Sequence, residues 1–260
     1  MQYTGITEPI RKMLWYAFSK EEIDNKEFWG VAKEIVQPHM SEIKYETLRR
    51  IIDTGYDAAH FIDSMSPSQV ESKMWMCNAL SLIDSASNFQ YIKTIQLYGG
   101  WYASPLIEIL TDLLESKIKW VENIDLDLFP LELSEKIHRP QLTLKDISYW
   151  VTNDSVLSAS ERAFDTDLVI NTSSEHMPHL RDIIENKNYR TIKSVKKLKT
   201  PRVPCIFAIQ SNNMFHVDDH INCVESEEEL LDNCKFQRVL YKGTLGMPNG
   251  YKRFMVIGQM

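Results

Sequence analysis

From about residue 92 onward, short apolar runs and helical stretches take turns along the chain, and this alternation leaves few folds open. Runs that read as buried strands fall at Ile92–Tyr98, Ile118–Ile124, Leu142–Ile147, Leu168–Asn171, Cys205–Gln210, Arg238–Tyr241 and Arg253–Ile257. Helical patterns at Pro105–Glu115, Leu131–Ile137, Ser158–Ala163 and His179–Asn186 separate the first five. Strand, helix, strand in succession predicts a parallel sheet, because parallel neighbours need a crossover. The last two runs are instead joined through Gly243, Gly246, Pro248, Asn249 and Gly250. Such turn residues predict an antiparallel hairpin.

The first third is helical throughout. Ile10, Met13, Leu14 and Ala17 share one face; Phe28, Val31, Ala32, Ile35 and Val36 share another, ending before Pro38. Ile43, Leu48, Ile51 and Ile52 follow, with Gly55 as a stop. Ser66, Pro67 and Gln69 then open a helix carrying Val70, Met74, Cys77, Leu80, Leu82 and Ile83. The Met74, Trp75 and Met76 stripe there reads as helix packing. The expected organisation is a helical N-terminal extension or cap over 1–90 and an α/β domain over 91–260. That domain is Rossmann-like: a seven-stranded, mostly parallel sheet with an antiparallel last strand.

Composition excludes several classes. Lys and Arg number 29 against 36 Asp and Glu, a net charge of −7, so the chain does not coat nucleic acid or membrane with its whole surface. Cys77, Cys205, Cys223 and Cys234 are far apart and form no CxxC pair, which fits a reducing compartment. No apolar run has signal-peptide or membrane-span length, and a cytoplasmic location is expected.

Chemistry concentrates where the strands end. The first apolar run enters Tyr98-Gly99-Gly100-Trp101, and Ser104 with Pro105 predicts a helix N-cap and first turn. The glycines allow a sharp turn and close approach to main-chain atoms, and amides at a helix start bind polar ligand atoms. The second run ends in Asp125-Leu126-Asp127. Asp125 lies 26 residues beyond Gly99, near the spacing at which an acid meets ribose hydroxyls; Glu122 competes if the strand ends earlier. Asp146-Ile147 closes the third run. Ser226 and Glu229 predict a capping box. His216-Val-Asp218-Asp219-His220-Ile-Asn-Cys223 packs donor atoms together, but no second cluster completes a zinc spacing, so no metal is expected. Between Lys187 and Arg202 stand seven basic residues (Lys187, Arg190, Lys193, Lys196, Lys197, Lys199, Arg202) and no acidic one, a candidate contact for the phosphates of a nucleic acid.

Tyr98-Gly99-Gly100-Trp101-Tyr102, Ile124-Asp125-Leu126-Asp127 and Asp167-Leu-Val-Ile-Asn171-Thr-Ser-Ser-Glu175-His176-Met177 together resemble class I S-adenosylmethionine-dependent methyltransferases. More narrowly, they are similar to the methyltransferase-like proteins of large tailed bacteriophages. Ile209-Gln-Ser-Asn-Asn-Met-Phe215, His220-Ile-Asn-Cys223 and Tyr251-Lys-Arg-Phe-Met-Val-Ile257 fit the same group. The resemblance covers residues 92–260 and implies S-adenosylmethionine as cofactor. It implies that Tyr98, Gly99, Gly100 and Trp101 bind the cofactor, with Gly99 and Gly100 lining the methionine part, that Asp125 or Asp127 holds the ribose, and that Asp146 and Ile147 flank the adenine. On the acceptor side it implies Asn171 as a hydrogen-bonding group and Glu175 or His176 as base or orienter. The loop departs from the family, since Trp101 and Tyr102 replace the usual later glycines. The Asn-Pro-Pro-Tyr loop of DNA amino-methylating enzymes is absent, and the acceptor is unidentified. The alternative is a catalytically inactive protein of this fold acting as a binding or phage assembly module. The missing GxGxxG disfavours a nicotinamide-dependent oxidoreductase.

Overall fold

The computed structural model describes residues 42, 45, 46, 49, 61, 63–87, 92–114, 118–159, 166–185, 205–247 and 250–260. Helix α1 (Pro67–Ser87) precedes β1 (Thr94–Tyr98), α2 (Leu106–Leu113), β2 (Trp120–Asp125), α3 (Leu128–Leu144), β3 (Ser148–Asn153) and α4 (Val156–Ala159). Then come β4 (Leu168–Asn171), a 3-10 turn (Ser174–His176), α5 (Leu180–Glu185), β5 (Ile206–Asn212), α6 (Glu227–Cys234), β6 (Arg238–Gly246) and β7 (Lys252–Gln259).

The seven strands form one sheet in the order β3-β2-β1-β4-β5-β7-β6. Strands β1 to β5 are parallel, and β7 runs antiparallel between β5 and β6. The predicted α/β class, parallel body and closing hairpin are all present. Side-chain alternation explains the layers. Ile95, Leu97, Leu168, Ile170, Ile206, Ala208, Met255 and Ile257 face one way, into a core with α1 and α2. Their neighbours Tyr98, Val169, Phe207, Ile209, Phe254 and Val256 face the other way, onto Leu180, Ile183, Leu230 and Cys234 of α5 and α6. Helices therefore cover both faces, as a buried parallel sheet requires.

The last helix of the predicted N-terminal region belongs to this core. Met76, Cys77, Ala79, Leu80 and Ile83 of α1 are buried with the sheet, and Trp75 Nε1 donates to Tyr241 Oη (2.9 Å). The boundary expected near residue 90 thus falls between two elements that share one core. The three earlier helical segments lie outside the described residues, apart from isolated positions, as does the basic stretch from Lys187 to Arg202.

One strand is displaced from its predicted place. Leu142–Ile147 is the end of α3 and the turn after it, and β3 begins only at Ser148. Helix α3 runs on through Pro140, where a proline ordinarily ends a helix. Its terminal leucines thereby resemble an apolar strand. True β3 is an edge strand with alternating exposure and was masked by its polar positions. Among the described residues, no helix is long and apolar enough to cross a membrane.

Helix α1 also buries a cation. Lys73 is 8% exposed, with Nζ donating to Gln69 Oε1 (2.7 Å). Burial, and secondarily Arg253, pulls its ammonium down from 10.5 to about 7. The folded pKa is depressed, so the unfolded chain holds more protons between these values, and the burial penalty, complete below pH 7, is relieved as pH rises. Relative to Lys73→Met, the wild type should gain about 2–3 kcal/mol of unfolding free energy between pH 7 and pH 9, measured by urea denaturation. Parallel pH profiles for the two proteins would contradict the buried ammonium.

Candidate active site at the carboxyl edge of the sheet

The loop after β1 is built by backbone torsions and a polar strut beneath it. Gly99 (φ 61°), Trp101 (φ 52°) and Ala103 (φ 56°) are left-handed, and Gly99 N–H donates to Ile124 O (2.8 Å). Asn123, fully buried on β2, donates through Nδ2 to Trp101 O (2.9 Å) and Ser134 Oγ (3.1 Å). Ser134 in turn bonds Tyr149 Oη. A Cβ on Gly100 would fall on Asn123 Oδ1, and one on Gly99 would fall on Met177 Cε. The glycines are thus demanded by close approach within the protein itself.

Ser104 does not cap α2. Pro105 occupies the N-cap with no side-chain bond, and the buried Ser104 hydroxyl instead meets His138 Nε2 (3.2 Å) and Glu108 Oε1 (3.4 Å). At the helix start Pro105 has no amide, and Ile107 N–H already donates to Ala103 O (3.0 Å). Fewer amides are open to a ligand there than the Ser-Pro pattern predicts.

Asp125, at the carboxyl end of β2, ties two loops together. Its Oδ2 accepts from Trp101 N–H (2.9 Å) and its Oδ1 from Asp127 N–H (3.0 Å). It is half-buried, and a carboxylate has about four lone-pair positions, so acceptor capacity remains. Asp127 is the N-cap of α3, its Oδ1 accepting from Phe129 N–H (3.2 Å). Glu122 is buried inside the sheet between Gln96 Nε2 (2.9 Å) and Thr152 Oγ1 (2.6 Å), away from the edge.

Asp146 and Ile147 do not stand at a strand's carboxyl end, where the sequence reading put them. They precede β3, and Asp146 pairs with Lys119 Nζ (2.8 Å), which precedes β2. That hydrogen bond and charge hold the exposed Asp146 carboxyl below its usual range. The carboxyl end of β3 is Asn153-Asp154-Ser155. There Asn153 Nδ2 donates to Leu126 O (2.8 Å), and Asp154 N–H donates to Asp125 O (3.1 Å). The displaced strand concealed these residues in the sequence.

The loops after β4 and β5 close on each other. Asn171 is the last residue of β4 and is buried; its Oδ1 accepts from Ser173 N–H (2.9 Å), and its Nδ2 donates to Met177 Sδ (3.2 Å). Glu175 is 2% exposed. Its Oε1 accepts from Asn212 Nδ2 (2.7 Å) and lies 3.8 Å from Arg253 Nη2. Arg253 Nη1 donates to Thr172 O (2.7 Å), and Glu175 O accepts from Ile221 N–H (2.8 Å) and Asn222 N–H (2.9 Å). Glu175 therefore faces inward as a fastener, whereas His176 is exposed beside it, with Nδ1 3.2 Å from Asp219 Oδ2. Burial, and secondarily the Glu175 carboxylate, raise the Cys223 thiol above its ordinary range. The predicted capping box forms: Ser226 Oγ accepts from Glu229 N–H (3.2 Å), although the Glu229 carboxylate reaches Glu225 N–H (2.8 Å), one residue early.

No family model and no curated relative matches this chain. Solved structures do. A proposed sarcosine dimethylglycine methyltransferase from Galdieria sulphuraria aligns with 75% of this chain and 86% of its own, at 10% identity and a TM-score of 0.50. The fold is that of the class I methyltransferases. The N-methyltransferase NodS from Bradyrhizobium japonicum WM9 aligns with 75% of this chain and 98% of its own (13% identity, TM-score 0.47). The magnesium protoporphyrin IX methyltransferase of Synechocystis PCC 6803, solved with S-adenosylmethionine bound, aligns with 93% and 100% (11% identity, TM-score 0.47). In this methyltransferase fold, Gly99, Asp125, Asp154 and Asn171 all lie at or just beyond the carboxyl ends of adjacent parallel strands.

Proposed function

We propose that this chain is an S-adenosylmethionine-dependent methyltransferase. One observation carries the reading: the strand order reverses between β1 and β4, and the Gly99–Trp101 loop and Asp125 stand at the carboxyl ends beside that reversal. Open α/β sheets bind ligands in the crevice at such a switch point. Tyr98, Gly99, Gly100 and Trp101 would meet the methionine part and Asp125 the ribose. The Asp154-Ser155 turn takes the adenine place that the family resemblance implied for Asp146 and Ile147. The donor supplies a methyl group already activated on a sulfonium, so the protein's task is positioning and exclusion of water. Asn171, oriented by Ser173 and Met177, and the exposed His176 stand on the acceptor side; Glu175 holds the loop that presents them.

For the acceptor we propose a polyanion, nucleic acid, on the strength of the seven basic residues between Lys187 and Arg202. The resemblance to phage-encoded proteins supports a phage origin and a host cytoplasmic setting. Met177 favours the second reading, an inactive binding or assembly module, because its methyl group lies where a ligand would approach Gly99. The thioether is flexible, and cofactor binding requires it to swing aside.

Calorimetric titration tests the cofactor site that the first reading requires. The wild type should bind S-adenosylmethionine, and Asp125→Ala should weaken binding by about 1–3 kcal/mol, the size of lost charge-assisted hydrogen bonds. Equal affinity in the variant removes Asp125 from the site.

A further inference from the structure

The donor atoms of His216 to Cys223 have no part in methyl transfer as proposed above. The fold brings them a partner that spacing did not reveal. One ligand atom each from Glu175, His176 and His220 lie within 4.8 Å of one another. The first two belong to the loop after β4 and the third to the loop after β5, so no short sequence pattern joins them. Their rings cross edge to face at 4.5 Å between His176 and His220.

A second observation points to a missing cation. Glu175 Oε1 is served by Asn212, but Oε2 is buried with no hydrogen-bond partner. A buried carboxylate oxygen without a donor is costly, and a coordinated ion removes that cost. The His176 ring also carries a carboxylate partner of the kind that orients metal-bound histidines, its Nδ1 lying 3.2 Å from Asp219 Oδ2. His220 Nδ1 lies 3.5 Å from Cys223 Sγ, which places a thiol next to the group.

We propose that Glu175, His176 and His220 form a binding site for a first-row divalent transition-metal ion. Two imidazoles and one carboxylate suit zinc, iron, cobalt or nickel rather than magnesium or calcium. Three protein ligands leave at least one position open, and the exposure of His176 puts the group within reach of solvent. The site stands on its own geometry and does not require that the chain bind S-adenosylmethionine.

The test is titration of chelator-stripped full-length protein with Co2+, read by visible absorption, followed by displacement with Zn2+. Saturable uptake of a single ion per chain is expected. His176→Ala and His220→Ala should each weaken it by more than about 100-fold, and Asp219→Asn by about 10–100-fold. His176 and Asp219 are exposed, so circular dichroism of those variants should match the wild type and separate ligand loss from misfolding. Glu175→Gln serves as a further ligand variant where it folds. Wild type that takes up no more Co2+ than the His176→Ala/His220→Ala double variant overturns the site. S-adenosylmethionine titration of the same preparations reports separately on the methyltransferase reading, so either result can fail without the other.

Discussion

Glu175→Ala should lower unfolding free energy by about 3–5 kcal/mol, because removing one member of a buried ion pair strands the other charge. Arg253 is 5% exposed, and Glu175 is the carboxylate placed beside it, at 3.8 Å. The same change orphans Asn212 Nδ2, which donates to Glu175 at 2.7 Å in a fully enclosed position. The backbone bonds from Ile221 and Asn222 to Glu175 O survive substitution, so the loops should stay apposed while the interior loses its charge balance. Glu175→Gln retains an acceptor for Asn212 and should fall between alanine and wild type. Urea denaturation with an unchanged m-value is the measurement. A loss below about 1 kcal/mol in the alanine variant, the size of an ordinary hydrogen bond, would show that the pair is not buried as described.

Gly100→Val comes next, at about 2–4 kcal/mol, combining overpacking with broken hydrogen bonds around Asn123. A side chain at residue 100 meets Asn123 Oδ1 and, at 3.0 Å, Leu97 Cβ. Asn123 is held by Trp101 O on one side and Ser134 on the other, and its retreat would dismantle the support of the whole β1 loop. Gly99 is different. Its obstacle is the flexible end of Met177, leaving chiefly the penalty of a left-handed backbone, about 1–2 kcal/mol for alanine. Thermal denaturation should therefore rank Gly100→Val as more damaging than Gly99→Ala, and the reverse order would refute the strut. It follows that lost cofactor binding in a Gly100 variant, by itself, says nothing about ligand approach.

Central strands were legible in the sequence because they are buried on both faces and read as continuous apolar runs; β4 occupies the very residues its pattern marks out. The hairpin was legible through the turn that ends at Gly250, although Gly243 and Gly246 lie within β6. That β7, rather than β6, joins β5 was not, since a hairpin signal says which strands pair and nothing about which of them meets the sheet. Strand β3 was lost because an edge strand keeps polar positions, while the leucines of α3 beyond Pro140 imitated one; this put Asp146 and Ile147 at a strand's carboxyl end, although they precede β3. Gly99, Gly100 and Asp125 were singled out by local spacing, and they stand at the carboxyl ends of β1 and β2. The Glu175–Asn212–Arg253 fastening and the His176–His220 contact join residues from separate loops, which no local pattern encodes. Likewise α1 reads as part of an extension from its position in the chain, although its apolar face completes the core of the sheet.

The most direct test of the account is a crystal structure of the protein soaked in S-adenosylmethionine. The account predicts ligand density across the carboxyl ends of β1 and β2, with Met177 swung away from Gly99 and the ribose hydroxyls within hydrogen-bonding distance of Asp125. Density showing Met177 still seated on Gly99, with no ligand beside Asp125 at saturating concentration, would contradict it.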